Sequence, residues 1–118
     1  MKLAQVIAQV NEEKPNSFSP DKLTSFINEI EAEVREQLGQ TGKPYDYKDD
    51  SNTDLLAKPP YDKLYKSYLK AMIDYANEEY DSYANNQAQH VSDFQEFVDY
   101  VVRTGTVQTV PKRFRNVF

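Results

Sequence analysis

The side chains best placed for chemistry in this chain are carboxylates. Asp46, Asp49, Asp50 and Asp54 crowd one short stretch. Clustered carboxylates are what a hard cation takes as ligands. An EF-hand loop needs Gly at its sixth position and Glu at its twelfth, and neither is present here. A flexible acidic loop is the plainer reading. Asp74 and Glu78 stand four apart and would share a helical face, with Glu79 and Asp81 close by. Paired carboxylates can carry acid–base work. No histidine, nucleophile or glycine-rich turn accompanies them, so a solvated acidic face is expected. His90 is the only histidine. Without a Ser, Cys or Asp arrangement beside it, it is expected to face solvent or cap a helix. There is no cysteine, which removes disulfides, thiolate catalysis and Cys/His zinc sites. The expectation is therefore no catalytic residue, no metal site and no cofactor.

The elements that hold these residues are bounded by composition. With 118 residues, 39% hydrophobic and 28% charged, the chain fits one globular domain with a modest core. No run approaches the roughly 18 apolar residues of a membrane helix. The first ten residues lack the apolar stretch of a signal peptide, so a cytoplasmic compartment is expected. The net charge of −5 is uneven. Residues 1–105 hold 11 Lys/Arg against 19 Asp/Glu, a net −8. Residues 106–118 hold Lys112, Arg113 and Arg115 and no acid, a net +3. An acidic body repels phosphate, which argues against a DNA- or RNA-binding surface.

Apolar periodicity predicts four helices. Leu3, Val6, Ile7 and Val10 mark one over 2–12, stopped by Pro15. The second spans 20–38. Ser19 is its N-cap, Pro20 its first residue and Gly39 its left-handed terminator. Leu23, Phe26, Ile27, Ile30, Val34 and Leu38 form its apolar stripe, opposite Glu29, Glu33 and Glu36. Residues 40–59 read as a long loop anchored by Leu55 and Leu56, with room for a short strand or turn at 45–47 or 54–57. A third helix is predicted over 60–84. A fourth ends near 104, starting at the Ser92-x-x-Gln95 capping box or earlier, near 87. Phe94, Phe97, Val98, Val101 and Val102 form its expected inner face, and Gly105 ends it. The fold class is all-α: a small four-helix bundle with a long loop between helices two and three, and an extended C-terminal tail.

Two features exceed what a small core needs. The third helix carries a broad tyrosine arc, and every buried hydroxyl requires a partner. Tyr61, Tyr65, Tyr68 and Tyr80 are the interface candidates from this arc. The tail combines apolar anchors with three cations, the pattern of a docking arm. Phe114, Arg115 and Phe118 are its candidate contacts. The domain division is thus 1–105 for the helical body and 106–118 for the tail.

Particular stretches resemble a known family. Val6-Ile7-Ala8-Gln9-Val10-Asn11-Glu12-Glu13-Lys14-Pro15-Asn16, then Phe18 and Ile27-Asn28-Glu29-Ile30-Glu31, are similar to the start of small head–tail connector (adaptor) proteins. These belong to long-tailed phages and prophages of Gram-positive bacteria. The resemblance is more specific through Leu55-Leu56, Pro60-Tyr61-Asp62-Lys63-Leu64-Tyr65, Tyr68-Leu69, Ala71-Met72-Ile73-Asp74-Tyr75-Ala76-Asn77, Glu79-Tyr80 and Tyr83-Ala84-Asn85-Asn86. It continues from Phe94 to Arg103-Thr104 and covers roughly residues 3–105, weakening at 86–91 and in the tail. The resemblance implies a homo-oligomeric ring, usually of twelve subunits, beneath the portal protein in the virion neck. Such a ring extends the DNA channel, which DNA traverses without specific binding, and presents a surface to a downstream connector or stopper protein. Related adaptors reach the portal with their C-terminal segment. The residues alone leave two rivals open: an acidic inhibitor or DNA mimic of a host nucleic-acid enzyme, and a small metal-dependent enzyme using the loop aspartates.

Overall fold

The computed structural model describes residues 1–105 and is all-α, with no strand among the described residues. The tail and its three candidate contacts, Phe114, Arg115 and Phe118, lie outside the described residues. Four long helices match the expected bundle, and a single helical turn interrupts the long loop. The elements are α1 (Leu3–Glu13), α2 (Pro20–Leu38), α3 (Tyr47–Asp50), α4 (Lys63–Ala76) and α5 (Tyr80–Thr104).

Each long helix buries the stripe that its spacing dictates. Leu3, Val6, Ile7 and Val10 of α1 meet Leu23, Phe26, Ile27, Ile30 and Val34 of α2 in one core. Leu64, Leu69 and Ile73 of α4 and Phe97 and Val101 of α5 complete it. The terminators of α2 act as expected. Ser19 Oγ accepts the Lys22 N–H at 3.1 Å, and Gly39 takes φ 67°, ψ 31°. Its left-handed backbone lets Gln40 N–H reach back to the Arg35 carbonyl at 2.9 Å. The start of α1 draws on the loop instead. Leu3 N–H donates to Thr53 O at 3.1 Å and Ala4 N–H to Ser51 O at 2.9 Å. Leu55 N–H donates to Met1 O at 3.0 Å, and the pairing at Lys2 and Asp54 is a single bridge, not a strand.

The third predicted helix does not run to residue 84. It ends at Ala76, and α5 begins at Tyr80, well before the Ser92 capping box. Ser92 therefore sits inside a helix, and α4 and α5 form an antiparallel hairpin that is the main packing pair of the fold. The cause is Asp74. Its side chain is buried at the end of α4, where Ser82 Oγ and Asn86 Nδ2 donate to Oδ2 at 2.6 and 2.7 Å. Lys14, the residue that caps the C-terminal end of α1, approaches Oδ1 at 2.5 Å. A straight helix would carry Ser82 and Asn86 away from that carboxylate. The reversal needs Glu78 at φ 60°, a left-handed conformation costly for any residue with a Cβ. Along α5, Phe97 and Val101 are buried and Phe94 and Val98 half-buried, but Val102 is 54% exposed, so it leaves the inner face expected of it.

Glu78→Gly should raise stability by about 1 kcal/mol, because glycine adopts this backbone without strain. Urea denaturation followed by circular dichroism checks this. A loss of stability would mean that the turn does not depend on the left-handed residue.

Candidate protein-binding surface

Asn28, Glu31 and Arg35 follow one another at helical spacing on α2, beside the apolar stripe. Together they hold the long loop. Asn28 exchanges two hydrogen bonds with the Tyr45 backbone, at 2.7 and 3.0 Å. Arg35 Nη2 donates to Lys43 O at 3.0 Å, and the guanidinium carbon lies 5.3 Å from the Tyr45 ring centre. Glu31 is fully buried. Its Oε2 accepts Tyr45 O–H at 2.6 Å and Leu56 N–H at 3.1 Å, and its Oε1 accepts Tyr65 O–H at 2.5 Å. Tyr65 O in turn accepts Ala57 N–H at 2.9 Å. Burial raises both tyrosine pKa values well above the ordinary range, and the Glu31 carboxylate raises them further, so both phenols stay protonated donors.

This network corrects one interface candidate. Tyr65 is fully buried, and its hydroxyl joins Glu31 to the loop, so it offers nothing to a partner in this fold. His90 is corrected as well. It neither faces solvent nor caps a helix but is buried between α4 and α5, its ring centre 5.0 Å from Tyr68 and 5.9 Å from Phe94. Nδ1 lies 3.1 Å from the Leu64 carbonyl, which can only accept, so Nδ1 carries the proton. Burial lowers the His90 pKa from its ordinary 6.5, against the opposing effects of the Leu64 carbonyl and Asp93.

The carboxylates considered for metal or acid–base chemistry are dispersed. No group of three His, Asp or Glu among the described residues is placed to hold a metal. Asp50 accepts the Asp46 N–H at 2.8 Å, and Asp54 faces Lys2 at 3.7 Å. Burial alone would raise the Asp74 pKa, but Lys14, Ser82 and Asn86 outweigh it and hold the group below 3.8. Glu13 bridges Lys66 and Lys70 at 2.5 and 2.6 Å, and their hydrogen bonds lower its pKa to about 2.

What remains open is aromatic. Tyr75 is 56% exposed and Tyr80 59% exposed, the largest apolar surface at the tip of the α4–α5 hairpin. Their rings meet edge-on at 6.3 Å, and Tyr83 tilts against Tyr75 at 5.3 Å. Tyr68 is half-buried, its hydroxyl donating to Glu29 Oε1 at 2.7 Å; burial, then Glu29, raises its pKa. Tyr61 is also half-buried and stacks on Tyr100 at 4.5 Å, near the far end of α5. The structure thus gathers Tyr80 with Tyr75 and Tyr83 at one end, and places Tyr61 with Tyr100 at the other. Tyr75, Tyr83 and Tyr100 were not among the candidates. The first two lay within the broad arc but could not be singled out without the break at 77–79.

Glu31→Ala should cost about 3–5 kcal/mol, because it leaves two phenols and a backbone N–H without their acceptor. Tyr65→Phe should cost about 2 kcal/mol, measured in the same denaturant series. A change below about 0.5 kcal/mol in both would refute the network. The His90 shift fixes a sign with pH. Its unfolded value is 6.5 and its folded value lower, so the unfolded chain takes up the proton first. Stability from this group is complete above 6.5 and falls as pH drops through the window beneath it. His90→Gln should flatten the urea midpoint between about pH 7 and about pH 5.5 relative to the parent chain.

Comparison with family models, with curated proteins and with solved structures finds no match to this chain.

Proposed function

We propose that this chain is a structural head–tail connector subunit of a tailed phage, acting by protein–protein contact and without catalysis. The observation that carries the reading is the exposed tyrosine cluster at the hairpin tip, Tyr75 with Tyr80, each more than half exposed. It lies in the tyrosine-bearing stretch of the sequence whose resemblance to connector proteins is most specific. Tyrosine is enriched at protein interfaces because it joins a large apolar ring to a polar tip. A ring of identical subunits needs two different surfaces on each, joined head to tail. The tip at Tyr75 and Tyr80 and the Tyr61–Tyr100 stack lie towards opposite ends of α5, whose 25 residues span about 37 Å.

In this reading the subunits form a ring, of twelve by analogy with the connector family, between the portal and the next connector or stopper protein. The net −8 of residues 1–105 suits a wall past which DNA slides without adhering. The DNA-mimic alternative needs a broad face of uncompensated, regularly spaced carboxylates. Here Glu13 is paired with Lys66 and Lys70, Asp74 with Lys14, and Glu96 with Lys63 at 2.7 Å. Such local pairing breaks up an extended negative field.

Light scattering and electron microscopy with and without the portal protein test the proposal. The expected result is a ring, or a monomer that assembles only on the portal. Tyr75→Ser with Tyr80→Ser should weaken that assembly about tenfold or more, with circular dichroism unchanged. Deleting residues 106–118 should leave the helical body folded and weaken capsid attachment. Absence of association in both conditions contradicts the connector role.

A further inference from the structure

A groove opens beside the C-terminal end of α5, with a volume of about 230 Å³. Leu38, Leu56, Pro59, Tyr61, Phe97 and Tyr100 line it, an apolar and aromatic surface that the core leaves partly open. On the side shared with Tyr61 its rim carries two carboxylates beside Arg103: Asp99, and Glu96, which also holds Lys63 at 2.7 Å. Arg103 already shows what this rim accepts: its guanidinium carbon lies 5.9 Å from the Tyr100 ring centre and Nη2 lies 3.4 Å from Tyr61 O. Lys58 also borders the groove, but its ammonium donates to the Leu55 carbonyl at 3.2 Å.

We infer that this groove is the seat of the chain's own C-terminal tail, with Phe114 as the apolar anchor and Arg113 and Arg115 directed to the Glu96 and Asp99 rim. Three observations converge on this occupant. The first is where the described chain ends: Gly105 caps α5 in the left-handed conformation, at φ 66°, ψ 30°, which ends the helical path. The second is reach. Phe97, on the groove floor, is only about 12 Å along the helix from Gly105. The nine residues from Gly105 to Phe114 can span up to about 30 Å. A tether that short keeps the tail at a high effective concentration over its own groove, ahead of any second molecule. The third is chemistry. The tail carries +3 and its aromatic residues; the body carries −8 and offers an apolar cleft with an acidic edge. Nothing in this arrangement requires a portal, so it stands or falls separately from the connector reading.

The absence of native cysteine allows a clean test on the full chain. Gln40 is exposed and borders the groove, so Gln40→Cys with Asn116→Cys reports a seated tail. Ala84→Cys with Asn116→Cys is the control, since Ala84 is exposed on α5 towards its opposite end. Under limiting oxidant, the groove pair should form an intramolecular disulfide about tenfold faster than the control pair, at a rate independent of protein concentration. Adding Phe114→Ala to the groove pair should lower its rate several-fold, towards the level that the tether alone sets. Equal rates in the two pairs, or no effect of Phe114→Ala, would overturn the inference. So would disulfide-linked dimers as the main product of the groove pair, which would seat the tail on a second copy.

Discussion

The fold depends on one buried carboxylate. Glu31 sits in the interior of α2 with no access to water, and a carboxylate so placed must be given hydrogen-bond donors. The donors come from distant parts of the chain: Tyr45 and the Leu56 N–H from the loop, Tyr65 from α4. Meeting that demand fixes the loop against α2 and α4 at once. It also positions Leu55 and Ala57, both fully buried, at the base of the core. The loop then returns hydrogen bonds to the first turn of α1 through Ser51 and Thr53. A connection of about 20 residues, which from its composition reads as slack, is therefore structural along much of its length.

A second buried carboxylate plays a similar part at the other end. Asp74 draws Ser82 and Asn86 back onto α4 and accepts Lys14 from the end of α1, where it is the C-cap, which sets the hairpin turn and exposes Tyr75 and Tyr80 at its tip. His90 joins the same two helices midway, through its contact with the Leu64 carbonyl. The interior polar groups are thus engaged in holding helices together. The aromatic residues left over are on the surface, which is why contact with another protein is the function that this architecture supports best.

Legibility in the sequence followed the range of the interactions. The ends of α2 could be read because Ser19, Pro20 and Gly39 act on their immediate neighbours. The stripes of α1 and α2 could be read because they repeat within one helix. The break at 77–79 could not, since apolar spacing continues across it and the turn is imposed by residues 8 and 12 positions after Asp74. Tyr65 looked like a surplus surface tyrosine because its acceptor lies 34 residues away. Glu31 left a trace that was legible: it falls between Ile27 and Val34 on the buried side of α2, where a lone acid signals a polar contact in the core. His90 was misplaced for the same reason as Tyr65, its partner being 26 residues distant.

In the proposed connector role, the aromatic tip of the α4–α5 hairpin is the surface that meets the phage neck. Hydrogen–deuterium exchange of the free chain against the chain mixed with the portal ring reads that surface directly. The account predicts slowed exchange over residues 75–83 on mixing, with α2 unchanged. Exchange over 75–83 that is the same in both samples, while the portal binds elsewhere on the chain or not at all, would contradict it.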